Sequence, residues 1–135
     1  IYQRLVPRLC PHCSLPLDDA VKEGIIGGPI LDRIMRLTDL GGADIRVRSL
    51  MGCPSCNHMG ISGRTVCAEV LVPDEYLLDL LRKHSYQEAR RYWLENPGLN
   101  VEGLGVSVMG HAISKMLKGE VDPRSIESNI GILHR

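Results

Sequence analysis

The sequence predicts an α+β fold in which an irregular tetracysteine subdomain with a small β-ribbon is followed by a helical subdomain. Two C-P-x-C units, Cys10 to Cys13 and Cys53 to Cys56, lie in the first half of the chain. Strand-like runs lie beside the second unit. Every segment after Pro73 has apolar residues at helical spacing and residues that typically start or end a helix. We therefore place the boundary at that proline, between residues 1–73 and 74–135.

The four paired cysteines predict a metal centre. Two residues between cysteines let one tight turn aim both sulfurs at the same point, and two such turns complete the tetrahedral shell that zinc prefers. The 39 residues between the pairs exceed the roughly 15 to 20 of common zinc ribbons, so an inserted element must separate the two knuckles. We predict that residues 1–73 are a zinc-binding subdomain, with one structural zinc on Cys10, Cys13, Cys53 and Cys56.

The elements of the first half follow from local pattern. Residues 1–6 form an amphipathic, helix-like segment, and Asp18 to Glu23 predict a short helix. After Pro29, apolar residues recur at helical spacing from Leu31 to Leu37. Alternating apolar residues predict one strand over 45–50 and another over 65–72, giving a β-ribbon beside the metal.

The second half predicts four helices. The first, over 74–83, places Leu77, Leu78 and Leu81 on one face, and Ser85 with Glu88 forms a capping box for the next. A buried stripe over 109–117 ends at a glycine cap, and a last short helix begins with Asp and Pro. Because these helices carry their own apolar stripes, we expect them to survive loss of the metal better than residues 1–72.

Composition limits the classes of function. Lysine plus arginine (16) equals aspartate plus glutamate (16), so no basic field exists for a phosphate backbone and nucleic acid is not expected as a partner. The first residues lack the apolar region of a signal peptide, and no apolar stretch is long enough to span a membrane. We expect a cytoplasmic protein without membrane insertion, and a fragment of something larger.

The cysteines and histidines allow other interpretations. The first unit has the form of an oxidising thiol-disulfide site, but it follows a helix-like segment, a proline comes soon after, and a second matched pair exists. His12 and His58 are expected to be exposed, since four cysteines already fill the shell. Cys67 is expected to be a small buried apolar residue.

The chain shows no catalytic motif of its own. There is no phosphate-binding loop of the G-x-x-x-x-G-K-[ST] type, and the third glycine of a dinucleotide loop is misplaced after Gly103-Leu104-Gly105. No catalytic residue can be assigned, and the chain alone is predicted to be inactive as a nucleotide hydrolase.

The residues nonetheless resemble one family, the cytoplasmic ATPases that power type II secretion and type IV pilus assembly, in the region C-terminal to their Walker motifs. The likeness is carried by residues 3–6 and 9–13, by 52–56, and by Gly60, Gly63-Arg64-Thr65, Glu69 and Asp74. Residues 116–119 and 125–127 resemble the closing pair of helices. The similarity is strong before residue 75 and weaker after it.

The resemblance implies a zinc-binding domain of a hexameric motor whose parent chain uses ATP and magnesium. Its expected partners are the RecA-like ATPase core, neighbouring subunits and an inner-membrane platform protein, which would place it at the membrane periphery. Arg64 is expected to contact a neighbouring domain or subunit. Ile61, Val66 and Met109-Gly110 depart from the family pattern and indicate a divergent member.

An independent zinc-ribbon adaptor that binds protein or nucleic acid is the alternative. It would keep the metal and need no motor, but the neutral charge counts against its nucleic-acid form. A phosphate loop and an acidic Walker B strand upstream of Ile1 would distinguish the motor from the adaptor.

Overall fold

A computed structural model describes residues 1–38, 44–96, 99 and 107–134. The described chain contains both strands and helices, with four helices in succession after the last strand, as in an α+β fold. The strands are β1 (Tyr2–Leu9), β2 (Leu15–Pro16), β3 (Arg46–Val47) and β4 (Ile61–Glu69). The helices are α1 (Leu17–Lys22), α2 (Gly28–Leu37), α3 (Glu75–Arg82), α4 (Tyr86–Glu95), α5 (Val108–Leu117) and α6 (Pro123–Asn129).

The main sheet is an antiparallel ribbon of β1 and β4. Tyr2 lies opposite Glu69 at one end and Leu9 opposite Ile61 at the other. Near the second end β4 has one more residue than β1, and Gly63 adopts φ +71° in this bulge. The expectation of a helix-like start was therefore wrong, because Tyr2–Leu9 gains its backbone partners from a strand about 60 residues away.

The remaining elements before Pro73 agree with the predictions more closely. Helix α1 forms one residue before the predicted 18–23, and α2 contains the residues whose apolar spacing predicts it, while the predicted strand over 45–50 shortens to β3. β3 pairs with β2, since Leu15 lies opposite Val47. The predicted strand over 65–72 begins and ends earlier, as β4.

The described residues form two separate hydrophobic cores. The larger core contains buried residues from almost its whole length, from Val6 through Ile34 and Val47 to Met116 and Leu133. Helices α5 and α6 belong to this core, together with the elements around the cysteines. The smaller core lies between α3 and α4 and contains Leu77, Leu80 and Ala89. The boundary at Pro73 stays a prediction, but the packing separates only the α3–α4 pair from the rest.

Several details of the second half differ from the pattern. In α3, Leu77 and Leu80 are buried whereas Leu81 is exposed. Ser85 precedes α4 without a side-chain capping bond, so the predicted capping box does not form. The stripe of α5 is confirmed by buried Met109, Ala112 and Met116, and Asp122 is the N-cap of α6. The sequence also predicts that Gly41-Gly42 ends the helix that follows Pro29. These two glycines and the Gly103-Leu104-Gly105 run lie outside the described residues.

Within the described ranges, none of the helices has the length and apolar character needed to cross a membrane.

Candidate metal centre

The β1–β4 ribbon brings the two cysteine pairs together. The first pair comes directly after the end of β1 and the second precedes the start of β4, and these two strand ends lie side by side in an antiparallel ribbon. A backbone bond from Cys10 N to Gly60 O, 3.1 Å, joins the two turns directly. The inserted elements thus leave and return at one end of the ribbon.

The sulfurs form a cage of the size that zinc requires. All four Sγ atoms of Cys10, Cys13, Cys53 and Cys56 lie within 4.8 Å of one another. The Cys10–Cys53 and Cys53–Cys56 separations are 3.7 Å, and Cys13–Cys56 is 3.8 Å. A tetrahedron with zinc–sulfur bonds of about 2.3 Å has edges of about 3.8 Å, whereas a disulfide bond is about 2.05 Å. The donor set and its spacing therefore fit a tetrathiolate metal ion.

The second knuckle is a tightly closed turn. Pro54–Cys56 forms one 3₁₀ turn, and His58 N donates to Cys53 O at 2.8 Å. Gly52 has φ +66°, and a Cβ there would lie 2.3 Å from the carbonyl carbon of His58. A side chain at position 52 cannot be accommodated without opening this turn.

Backbone N–H groups point at one of the sulfurs. Gly60 N lies 3.2 Å and Cys53 N lies 3.4 Å from Cys56 Sγ. Burial acts to raise the pKa of the Cys56 thiol, but these N–H groups and the neighbouring sulfurs lower that pKa to about 6. Burial and bonds to other sulfurs raise the pKa of Cys13 to about 12. Without a cation the cage thus resists full ionisation, and a divalent ion would balance the clustered thiolates.

The other predicted site residues occupy different parts of the structure. His12 and His58 are exposed, as expected, and lie outside the sulfur cluster. Cys67 is fully buried in the larger core, as expected, and burial raises the pKa of its thiol. Arg64 is exposed within β4, opposite Pro7. Its interdomain contact stays a prediction.

The structure also weakens the redox interpretation of the first pair. The argument from a preceding helix does not hold, since β1 precedes Cys10. The chain after Cys10 forms a turn, closed by Ser14 N donating to Cys10 O, and then enters β2. The thiol-disulfide enzymes place this motif at a helix N-terminus, which this turn does not provide.

One feature of the site was missed by sequence reasoning: a buried carboxylate links the knuckle to the last helix. Asp122 is 2% exposed and accepts four hydrogen bonds. They come from the backbone N–H of Arg48 and from the backbone and guanidinium of Arg124. Arg48 Nε in turn donates to Met59 O at 2.7 Å, next to the second knuckle. The N-cap motif identified Asp122, but only the fold shows its second role.

A salt bridge between Arg33 and Glu127 joins helix α6 to α2. Arg33 donates through two nitrogens to both carboxylate oxygens of Glu127, at 2.6 and 2.8 Å. Its guanidinium is the main cause of the lowered pKa of Glu127. Helix α6 is therefore attached to Arg48, directly after β3, and to α2, and both of these lie in the insert between the knuckles.

The fold and the cage together define a class: an α+β domain with four clustered cysteines that could hold a metal ion. Comparison with known proteins supplies the family. A sequence model of the family "Type II/IV secretion system protein" matches residues 1–113. The chain belongs to this family, as the resemblance predicted.

Two curated relatives agree with this assignment. The chain is 30% identical over 120 residues to type II secretion system protein E of Aeromonas hydrophila, covering 87% of this chain and 20% of that protein. It is 30% identical over 114 residues to type II secretion system ATPase E of Vibrio cholerae, covering 76% of this chain and 19% of that protein. The chain thus spans about a fifth of the length of these relatives.

Proposed function

We propose that this chain is the C-terminal zinc-binding domain of a cytoplasmic hexameric ATPase that powers type II secretion or type IV pilus assembly. In this role it serves as a scaffold and interaction module and not as the nucleotide site. The observation that carries the proposal is the tetrathiolate cage, formed within a chain that belongs to the secretion family. One relative is a type II secretion system ATPase, which supports an ATPase activity of the proposed parent.

The chemistry of the cage supports a structural role for the metal. When bound, zinc would neutralise the clustered thiolates. Four sulfur ligands leave no open position at which the ion could bind and activate water. Through this metal, Cys10 and Cys13 would anchor the end of β1, and Cys53 and Cys56 would anchor the start of β4. The ion would cross-link parts of the chain that are far apart in sequence.

The first test is metal content and ligation. Protein purified without chelator should contain one zinc per chain, with four sulfurs at about 2.3 Å by X-ray absorption. Substoichiometric metal, together with intact Cys10–Cys13 or Cys53–Cys56 disulfides under reducing conditions, would contradict the proposal.

The second test concerns the proposed parent. The coding region upstream of Ile1 should contain a phosphate loop and a Walker B strand, which bind ATP and magnesium. In that parent, Cys53→Ser should reduce hexamer assembly and secretion more than nucleotide binding. Loss of nucleotide binding with intact hexamers would place the cage at the nucleotide site instead.

Arg64 provides a test of the interaction role. Its exposed guanidinium is proposed to contact carboxylates or carbonyls of the ATPase core or a neighbouring subunit. Arg64→Lys keeps the positive charge but loses the planar guanidinium that can donate two parallel hydrogen bonds. The variant should therefore show weaker subunit association and unchanged zinc content. Unchanged association would exclude this residue from the contact.

A further inference from the structure

Between the second knuckle and α6 lies a groove of about 400 Å³. One wall is formed by Ser49 and Leu50, just before the knuckle, and the other by Ser125 and Asn129 of α6. Arg48 and Arg124 also line it. The walls are parts of the chain that the Asp122 network holds together, so the groove is a fixed feature of the fold.

The groove is electropositive. Its lining contains two arginines and a single carboxylate, that of Asp122. This carboxylate is buried, and both of its oxygens already accept two hydrogen bonds each. Arg48 bonds through its backbone N–H and its Nε, and its terminal amino groups have no partner among the described residues. The two terminal amino groups of the Arg48 guanidinium therefore remain available to donate to a carboxylate.

An exposed apolar rim adjoins this positive charge. Leu50 is 74% exposed, Met51 is 82% exposed and Met59 is 53% exposed. The Ser49 hydroxyl accepts from Gly52 N at 3.1 Å, and Gly52 has no room for a side chain. The rim is thus presented on a constrained turn, which reduces the ordering cost of binding.

We propose that this groove binds a segment of a partner protein in which a carboxylate is followed closely by an apolar side chain. The carboxylate pairs with Arg48, and the apolar side chain packs on Leu50 and its neighbours. Charge complementarity favours an acidic segment, and the rim supplies the apolar contact. This inference deepens the proposed interaction role and rests on it, since it names the kind of partner.

The test is a titration of the zinc-loaded full chain, monitored by amide chemical shifts. The probes are three capped tetrapeptides that alternate glutamate with leucine, lysine with leucine, and glutamate with glycine. The first should shift the amides of Ser49, Leu50, Ser125 and Asn129, and should bind about tenfold more tightly than either of the others. Because the metal is present throughout, failure here would leave the metal scaffold and its own tests untouched.

Variants at the rim and at Arg48 separate binding from folding. Leu50→Ser changes a side chain that is mostly in solvent, so the fold should persist while the glutamate–leucine peptide weakens several-fold. Met35→Ser, at a residue that is 60% exposed on α2, is the matched control and should change nothing. Arg48→Gln should abolish the preference for glutamate over lysine.

Three results would overturn the proposal. One is equal binding of the acidic and basic peptides, and another is the absence of shifts at the groove at millimolar peptide. The third is concentration-dependent shifts of the groove amides without any peptide, which would make a second copy of this chain the occupant.

Discussion

Two parts of the molecule are held together in different ways. One is the body, which comprises the larger core and the four clustered cysteines, and the other is the pair of helices α3 and α4. The core of the body unites residues from Val6 to Leu133, and the Asp122 network joins distant segments of it. A metal ion bound by the four clustered cysteines would add a further link. The pair is held by neighbouring helices around three buried residues. Long-range contacts cost more loop entropy to form, so the body gains most from a metal cross-link. Metal dependence should therefore vary with core membership and not with position relative to Pro73.

The largest effect is expected from removing one ligand. Cys53→Ser should lower the free energy of unfolding of the body by several kcal/mol, because zinc binding in small domains contributes on the order of 10 kcal/mol. Chemical denaturation measures the free energy of unfolding, and metal analysis measures the zinc content of the variant. Cys67→Ala is the matched control, since Cys67 is a buried cysteine outside the cage. This variant should still bind one zinc per chain. Equal stability of the two variants would show that the cage is not the scaffold.

The next effect is expected from the buried carboxylate that joins α6 to the body. Asp122→Ala leaves the Arg124 guanidinium and two backbone N–H groups without their acceptor, and should cost about 3 to 5 kcal/mol. Urea unfolding measures this cost. Asp79→Asn on α3 is the control, because its exposed ion pair with Lys83 contributes little. A loss below about 1 kcal/mol for Asp122→Ala would show that the network does not hold α6 in place.

A smaller effect is expected from the knuckle turn. Gly52→Ala introduces a Cβ against the backbone of His58 at φ +66° and should cost about 2 to 4 kcal/mol in the metal-bound protein. Gly63→Ala is a matched control, because its φ is +71° but its Cβ would meet nothing within 4 Å. It should cost about 1 kcal/mol. Similar losses for both would mean that the knuckle can open without penalty.

The smallest effect concerns acid and the α3–α4 pair. The hydroxyl of Tyr92 and the N–H of Leu77 donate to Asp74 and lower the pKa of its carboxyl below the ordinary 3.8. A lowered folded pKa stabilises the pair above the ordinary value, and this stability is lost as pH falls through the lowered one. The fluorescence of Trp93, the one tryptophan of the chain, reports on α4. Asp74→Asn should remove this acid-dependent step, and an unchanged step would assign it to another group.

The clustering of the four cysteines was predictable because its signal is local. Two residues between cysteines determine where the sulfurs point, and the composition of each turn fits a knuckle. Helix starts at Asp74 and Asp122 were predictable for the same reason, since an N-cap bond spans only a few residues.

The features that escaped prediction depend on distant partners. Tyr2–Leu9 is a strand because β4 pairs with it, and no periodicity in its own residues indicates that partner. In α3 the neighbouring helix decides that Leu80 is buried and Leu81 is not. Likewise the role of Asp122 beyond its cap depends on Arg48, 74 residues away in sequence.

Amide hydrogen exchange on the full chain, with zinc bound and after chelation, shows whether the metal is the scaffold of the body. Chelation is expected to remove protection from β1, β4, α5 and α6, while α3 and α4 keep what protection they have. This differs from the division expected from sequence, in which the helices after Pro73 keep more of their protection than residues 1–72. Equal protection of the body with and without zinc would contradict the scaffold role of the metal.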